Sequence, residues 1–422
     1  MTFNMRTIWL AAVVALCLQA DRVAAAESAP AQQVATRACG SLLARVEALP
    51  GTEPAFLQSY DSSIGSDGAA VPILPGAYTY DNALAVIALI ACGHRDAALR
   101  IADALLAVSE GDRTGAVGRI RNAYRPGPVT ERPVPPMGWW SDLDQRWVED
   151  PYHVGSATGN AAWAALALLS AAVESGDARY RSAAGRIARW VAATALDPRA
   201  PEGFIGGVYG YDETAQRLTW KSTEHNTDLA AVLEWLARLE PDQDWLPLAK
   251  TARAFVAAQW DQADGRFWVG TTPDGMTTNR DNAGLDAQLW PLLLPGAPEQ
   301  WRASLRHVEQ QYRVSGGFDF NDDRDGIWWE GTAQAALTYR ALGRAQEADR
   351  LLSKISGEFS PGGFVWATDR LKLTTGFALS PASTVDDFYY YRLPHLAPTA
   401  WAALAALGWN PFTGESVIAP SR

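Results

Sequence analysis

The chain has 422 residues, more than one ordinary hydrophobic core serves, so either two or three domains or one large closed architecture is expected. Its formal net charge of -11 repels polyanions, which argues against nucleic acid as a partner and weakly against an acidic polysaccharide. The only long apolar run near the N-terminus, from Ile8 to Leu18, is too short to span a bilayer, which needs about 20 such residues.

Arg6 precedes that run, and the small residues of "VAAAES" follow it, offering cleavage after Ala26. Residues 1–26 therefore read as a bacterial signal peptide, and the mature chain as a periplasmic or secreted protein, with no membrane insertion. Cys17 follows Leu16, where a lipoprotein signal wants a small residue, so no lipid anchor is expected. Cys39 and Cys92 remain after cleavage. Either a disulfide or two buried thiols fits them.

Helical periodicity then recurs twelve times, over residues 31–49, 81–92, 96–109, 157–174, 180–195, 223–239, 244–259, 283–294, 299–312, 330–342, 345–356 and 398–407. The textures alternate. Odd members such as "HRDAALRIADALLAV" are amphipathic and need a solvated face, whereas even members such as "GNAAWAALALLSAAV" are apolar all round and need burial. Six buried helices alternating with six half-exposed ones predict an all-α fold, an (α/α)6 toroid closed on itself, in residues 27–422. An open solenoid is disfavoured because the spacing is irregular.

In such a ring the starts of the inner helices converge on one mouth. Each is preceded by an aromatic or polar loop: "GAYTYDN", "DPYHVGSATGN", "TWKSTEHNTD", "TTNRDNAGLDAQLW", "DGIWWEGTAQ" and "YYYRLPHLAPTAW". These motifs resemble the six-hairpin toroid superfamily of glycoside hydrolases and polysaccharide lyases. "YTYDNAL", "KSTEHNTDL", "LDAQLW", "WWEGTAQAAL" and "TAWAALAALGWNPF" are similar to a family of exported bacterial glycoside hydrolases without an assigned substrate. The resemblance implies hydrolysis of a beta-glucan or a bacterial exopolysaccharide.

Glycoside hydrolysis needs one protonated carboxyl and one carboxylate that activates water or attacks the sugar. Glu330 stands directly after Trp328 and Trp329, whose apolar surface dries it and raises its pKa, which suits a proton donor. Gln334, one turn on, faces the same way and orients the acid or bonds a hydroxyl. Glu224 and Asp228 share a helix face four residues apart and are further catalytic candidates, with Lys221 upstream as a neighbour. Asp81 and Asp142 are candidate bases.

Substrate contacts are expected from Tyr80, Asn82, Trp220, His225, Asn226, Asp286, Gln288, Trp328, Trp329, Tyr389 and His395 around the mouth. Trp139 and Trp140 join them on the proline-rich excursion of residues 110–155. The 18 tryptophans are the strongest compositional sign of pyranose stacking, and endo action on a chain is expected from the long tryptophan-bearing loops. "NDDRDG" partly matches a calcium loop, but its twelfth position is Thr332, so a plain acidic turn is expected and no metal or other cofactor. A lyase on the same scaffold would need cations against a uronate, and few are present. A non-catalytic sugar-binding subunit of exopolysaccharide biosynthesis would keep the aromatics without facing acids. The partner is a carbohydrate, and a monomer is expected.

Overall fold

A computed structural model describes residues 28–61 and 75–418, so the expected signal peptide lies outside the described residues. Helix α1 (Ala29–Glu47) starts where the Ser28 hydroxyl accepts the Ala31 N–H, and buries Val34, Ala38 and Leu42 at four-residue spacing. Helix α2 (Thr79–Ala91) differs in kind, for every residue except Tyr80 is buried. The alternation continues through α3 (Arg95–Glu110), α4 (Thr158–Ser175), α5 (Ala178–Ala195), α6 (Thr223–Leu239) and α7 (Trp245–Ala258). It ends with α8 (Leu285–Leu289), α9 (Ala303–Gln311), α10 (Trp329–Ala341), α11 (Ala345–Ile355) and α12 (Leu396–Leu407).

Helices α2, α4, α6, α8, α10 and α12 pack each on the next, and α12 returns to α2. The ring is closed. Five outer helices follow their inner partners in sequence, whereas α12 pairs with α1, so the sixth hairpin is made from the two ends of the chain. Cys39 of α1 and Cys92 at the end of α2 form a disulfide that ties this hairpin to the first inner helix. That settles the choice left open by the sequence.

One expected helix is shorter than its periodicity. Residues 283–294 yield only α8 and a 3-10 turn, Trp290–Leu293, because Pro291 lacks an N–H and clashes with the preceding turn. Short hairpins rise from the mouth as well: β1 (Trp139–Ser141) with β2 (Arg146–Val148), β3 (Gly203–Tyr209) with β4 (Gln216–Lys221), and β5 (Lys372–Thr374) with β6 (Tyr389–Tyr391).

The inner helices begin in a repeated way. Their first N–H groups are taken by loop carbonyls, Thr79 by Asn122, Thr223 by Val269, Leu285 by Phe320, Trp329 by Ala367 and Leu396 by Ser59. The fourth residue then clamps an adjoining loop. Asn82 bonds both backbone groups of Leu57 at 2.8 and 3.0 Å, Asn226 those of Phe204 at 2.9 and 3.0 Å, and Gln288 those of Phe267 at 2.9 and 2.7 Å. Thr332 accepts the Phe318 N–H at 3.0 Å and Thr399 the Val365 N–H at 2.9 Å. This corrects the expectation for Asn82, Asn226 and Gln288: all three are buried and their amides hold protein backbone instead of facing the mouth.

Asn226→Leu strands two buried backbone groups of Phe204 and should lower unfolding free energy by roughly 2 to 4 kcal/mol in urea denaturation. Cys39→Ser with Cys92→Ser opens a loop of sequence separation 53 and should cost about 2 to 4 kcal/mol by the same measurement.

Candidate active site

A helix turns about 100° per residue, so with the fourth residue facing the loops, the second and sixth face the opposite way, toward the ring axis. The second residues are Tyr80, Gly159, Glu224, Asp286, Glu330 and Ala397, and the sixth are Leu84, Trp163, Asp228, Trp290, Gln334 and Trp401. Three carboxyls thus share one layer. Below it Trp163, Trp290 and Trp401 meet with ring centres 5.3 to 5.9 Å apart and, with Phe412, plug the axis.

Glu330 is 2% exposed and its Oε1 is held from two sides. The Tyr80 hydroxyl donates to it at 2.5 Å, the Gln334 amide at 3.4 Å, and the Trp401 indole donates to the Tyr80 oxygen at 2.9 Å. Burial pushes the Glu330 pKa up to about 8; Asp81 and Asp286 add to the rise, and the bonds from Tyr80 and Gln334 oppose it. Asp286 is raised less, to about 6, because the Ala287 N–H, 2.6 Å from Oδ1, offsets part of its burial.

Glu224 keeps part of its surface open, yet burial and the charges of Asp286 and Glu330 lift it well above the usual carboxylate range. Asp228, below it, is lifted by burial and by Glu224 and Asp286, and neither of its oxygens has a hydrogen-bond partner among the described residues. Trp163 opposes that rise without reaching hydrogen-bonding geometry. Lys221 does not neutralise this pair. Its ammonium is buried the other way, 2.8 Å from the carbonyls of Arg199 and Pro201 and 3.2 Å from Asp197.

Asp81 takes a different partner, His395, at 2.9 Å, and the His395 ring stacks on Tyr60 with centres 4.1 Å apart. His395 therefore holds Asp81 and Tyr60. His225 packs so close to Gly159 that a Cβ there would lie 2.5 Å from its ring, while Trp220 lies 5.4 Å away; burial pushes its pKa down to about 4. It is a neutral imidazole at neutral pH.

Several rim residues depart from expectation. Trp328 and Trp329 are buried, Trp328 between Phe320 and Tyr390, so they form the dry wall behind Glu330 and present no free face to a sugar. In β6, Tyr389 lies beneath Lys372, whereas Tyr390 on the other face packs on Phe320 and Trp328, and burial, with the charges of Glu330, Asp286 and Glu224, raises its pKa. Of these two rim tyrosines, Tyr390 is the one near the acids. Asp142 lies in the exposed turn between β1 and β2 and shares no hydrogen bond with the buried acids, which corrects its expected role as base. Trp139 and Trp140 stand on that hairpin at 41% and 53% exposure, Trp140 paired across the strands with Trp147.

The sequence reading missed Tyr60, Tyr78, Tyr152 and Asn160. Tyr78 bonds His153 at 2.9 Å, and Tyr152, pushed up to about 12 mainly by burial, is held by Asn160 and feels Asp81 and Glu224. Repeated tyrosines beside inner-helix starts were the available signal. The "NDDRDG" turn brings carboxyl oxygens of Asp323 and Asp325 together with one from buried Asp319, all within 4.8 Å of one another.

No protein-family profile and no curated protein matches the sequence. Solved structures do match. A glycosidase variant in complex with glucose has a TM-score of 0.61 at 14% identity, covering 90% of this chain and 99% of its own. The GH76 alpha-mannanase of Bacteroides thetaiotaomicron has a TM-score of 0.56 at 12% identity over 88% of this chain and 95% of its own. A D-mannose isomerase follows at 0.57 and 10% identity, over 87% of this chain and 94% of its own. With its closed ring of six inner and six outer helices, the chain has the (α/α)6 toroid fold of these sugar-acting enzymes.

Proposed function

We propose that the chain is a glycoside hydrolase in which Glu330 donates the proton to the leaving oxygen and Asp286 is the charged partner, acting as base or nucleophile. The carrying observation is one layer in which Glu224, Asp286 and Glu330 stand at the starts of consecutive inner helices, with Tyr80 and Gln334 bonded to Glu330; burial there pushes Glu330 up to about 8 and Asp286 to about 6. Burial and the charges of Asp286 and Glu330 raise Glu224, whereas the Ala287 N–H limits the rise at Asp286, so Asp286 is the acid of the two that ionises more readily. Glu224, half-buried, is placed for a sugar hydroxyl.

The substrate is a neutral poly- or oligosaccharide, either a beta-glucan or a bacterial exopolysaccharide, met by an exported enzyme. Burial and like charges govern the acids, and Lys221 turns away from them, which disfavours a lyase acting on uronates. The exposed Trp140 and Trp147 on the rim hairpin support endo action along a chain.

Incubation with a panel of beta-glucans and exopolysaccharides, reading new reducing ends, should give turnover. Glu330→Gln and Asp286→Asn should each lower kcat roughly 10²- to 10⁴-fold. Asp142→Asn should leave it within about twofold. Full activity in Glu330→Gln would remove the proposed donor. The pH profile of kcat/KM should rise through about 6, as Asp286 ionises, and fall through about 8, as Glu330 loses its proton.

A stability signature accompanies this. Glu330 has a folded-state pKa of about 8 against 4.5 when unfolded, so its contribution is complete below 4.5 and is lost as pH rises through 8. The Tm should therefore fall between about pH 4.5 and 8 by differential scanning fluorimetry and level off above 8, and Glu330→Gln should flatten that fall.

A further inference from the structure

Tyr80, expected as a sugar contact, touches the reacting acid instead. Its hydroxyl lies between the Trp401 indole nitrogen, 2.9 Å away, and Glu330 Oε1, 2.5 Å away. The three residues come from α12, α2 and α10, and Trp401 is fully buried.

We infer that Tyr80 is a positioning residue that, with Trp401, places the acid proton of Glu330 on Oε2; the inference rests on reading Glu330 as the proton donor. An indole N–H only donates, so the Tyr80 oxygen must accept from Trp401. The single Tyr80 proton is then directed at Oε1. An oxygen that receives this bond and a second from Gln334 is the acceptor oxygen of the carboxyl, which leaves Oε2 to carry the proton. In the transfer the Oε2–H bond breaks and its proton goes to the glycosidic oxygen, which keeps the electron pair of its breaking bond to the sugar carbon, while water activated by Asp286, or Asp286 itself, bonds to that carbon. The Glu330 carboxylate left behind keeps both donated bonds. The donor-only indole thus fixes the polarity of the whole relay.

The test is Tyr80→Phe, which removes one oxygen and keeps the ring. Infrared titration of the protonated Glu330 carbonyl, identified by its loss in Glu330→Gln, should shift to higher pH, because a donated bond that stabilises the carboxylate is gone. An unmoved or lowered titration would overturn the relay. In turnover, kcat should fall about 100-fold with KM within about twofold, and the alkaline limb should move up with the infrared value. A raised KM with unchanged kcat would make Tyr80 a substrate contact and sink the proposal. Trp401→Phe should shift both readouts in the same direction by less, and a shift in the opposite direction would overturn the polarity argument. If the infrared shift is present but the wild-type protein cleaves nothing on the panel, the hydrolase reading fails and the relay stands.

Discussion

Rotation of each inner helix about its own axis decides whether the acids meet or scatter. A turn of 100° would carry Glu330 from the ring axis into a neighbouring helix. The clamp at the fourth residue prevents it. Asn82, Asn226, Gln288, Thr332 and Thr399 are bonded to backbone of loops that rest against the ring, so five of the helices are pinned at their starts with their second residues inward. Because the clamp uses backbone groups, the second position is free to vary in chemistry while its direction stays fixed. Tyrosine, glycine, glutamate, aspartate and alanine all occupy it.

The concentration of acids is a cost of the fold that the fold also limits. Helix N-termini favour negative charge by a few tenths to about 1 kcal/mol each, which helps Glu224, Asp286 and Glu330 in their first turns. That help is smaller than the desolvation at the axis, and the raised pKa values record the balance. Burial therefore favours the neutral form of these acids, most clearly at Glu330, which it pushes up to about 8. The aromatic plug of Trp163, Trp290, Trp401 and Phe412 closes the axis from below, so the acids are reached from the loop side.

Much of this was legible in the sequence, and the rest was hidden for identifiable reasons. Burial all round the even helices pointed to the ring, and the polar and aromatic segments at the inner-helix starts pointed to Glu224 and Glu330 as acids and to Asp286 as a substrate contact. Asn226 lies two residues past Glu224, about 200° around the helix, so helical arithmetic alone argues against both facing one sugar. Tyr389 and Tyr390 need a strand assignment before they can be told apart, and a three-residue strand leaves almost no periodic signal. Tyr60 comes from an irregular segment and Tyr152 from a single helical turn, Pro151–Val154, too short to show a period. The tryptophans before Glu330 were visible, but whether they face a ligand or back the acid depends on Phe320 and Tyr390, which arrive from elsewhere in the chain.

The layer is also asymmetric, and the asymmetry points to the entrance. Acids occupy the second position on three consecutive inner helices, α6, α8 and α10, whereas α4 and α12 carry Gly159 and Ala397. The space beside Gly159 is already filled by His225. Tyr80 extends across to Glu330, passing the Ala397 sector with its hydroxyl braced by Trp401. Among the acids of this layer Glu224 alone keeps appreciable surface open. A ligand entering along the axis would therefore meet Glu224, with His225 and Trp220 beside it, before Asp286 and Glu330. In the proposed hydrolase that order would put a hydroxyl-binding acid outermost and the reacting pair where water is scarcest.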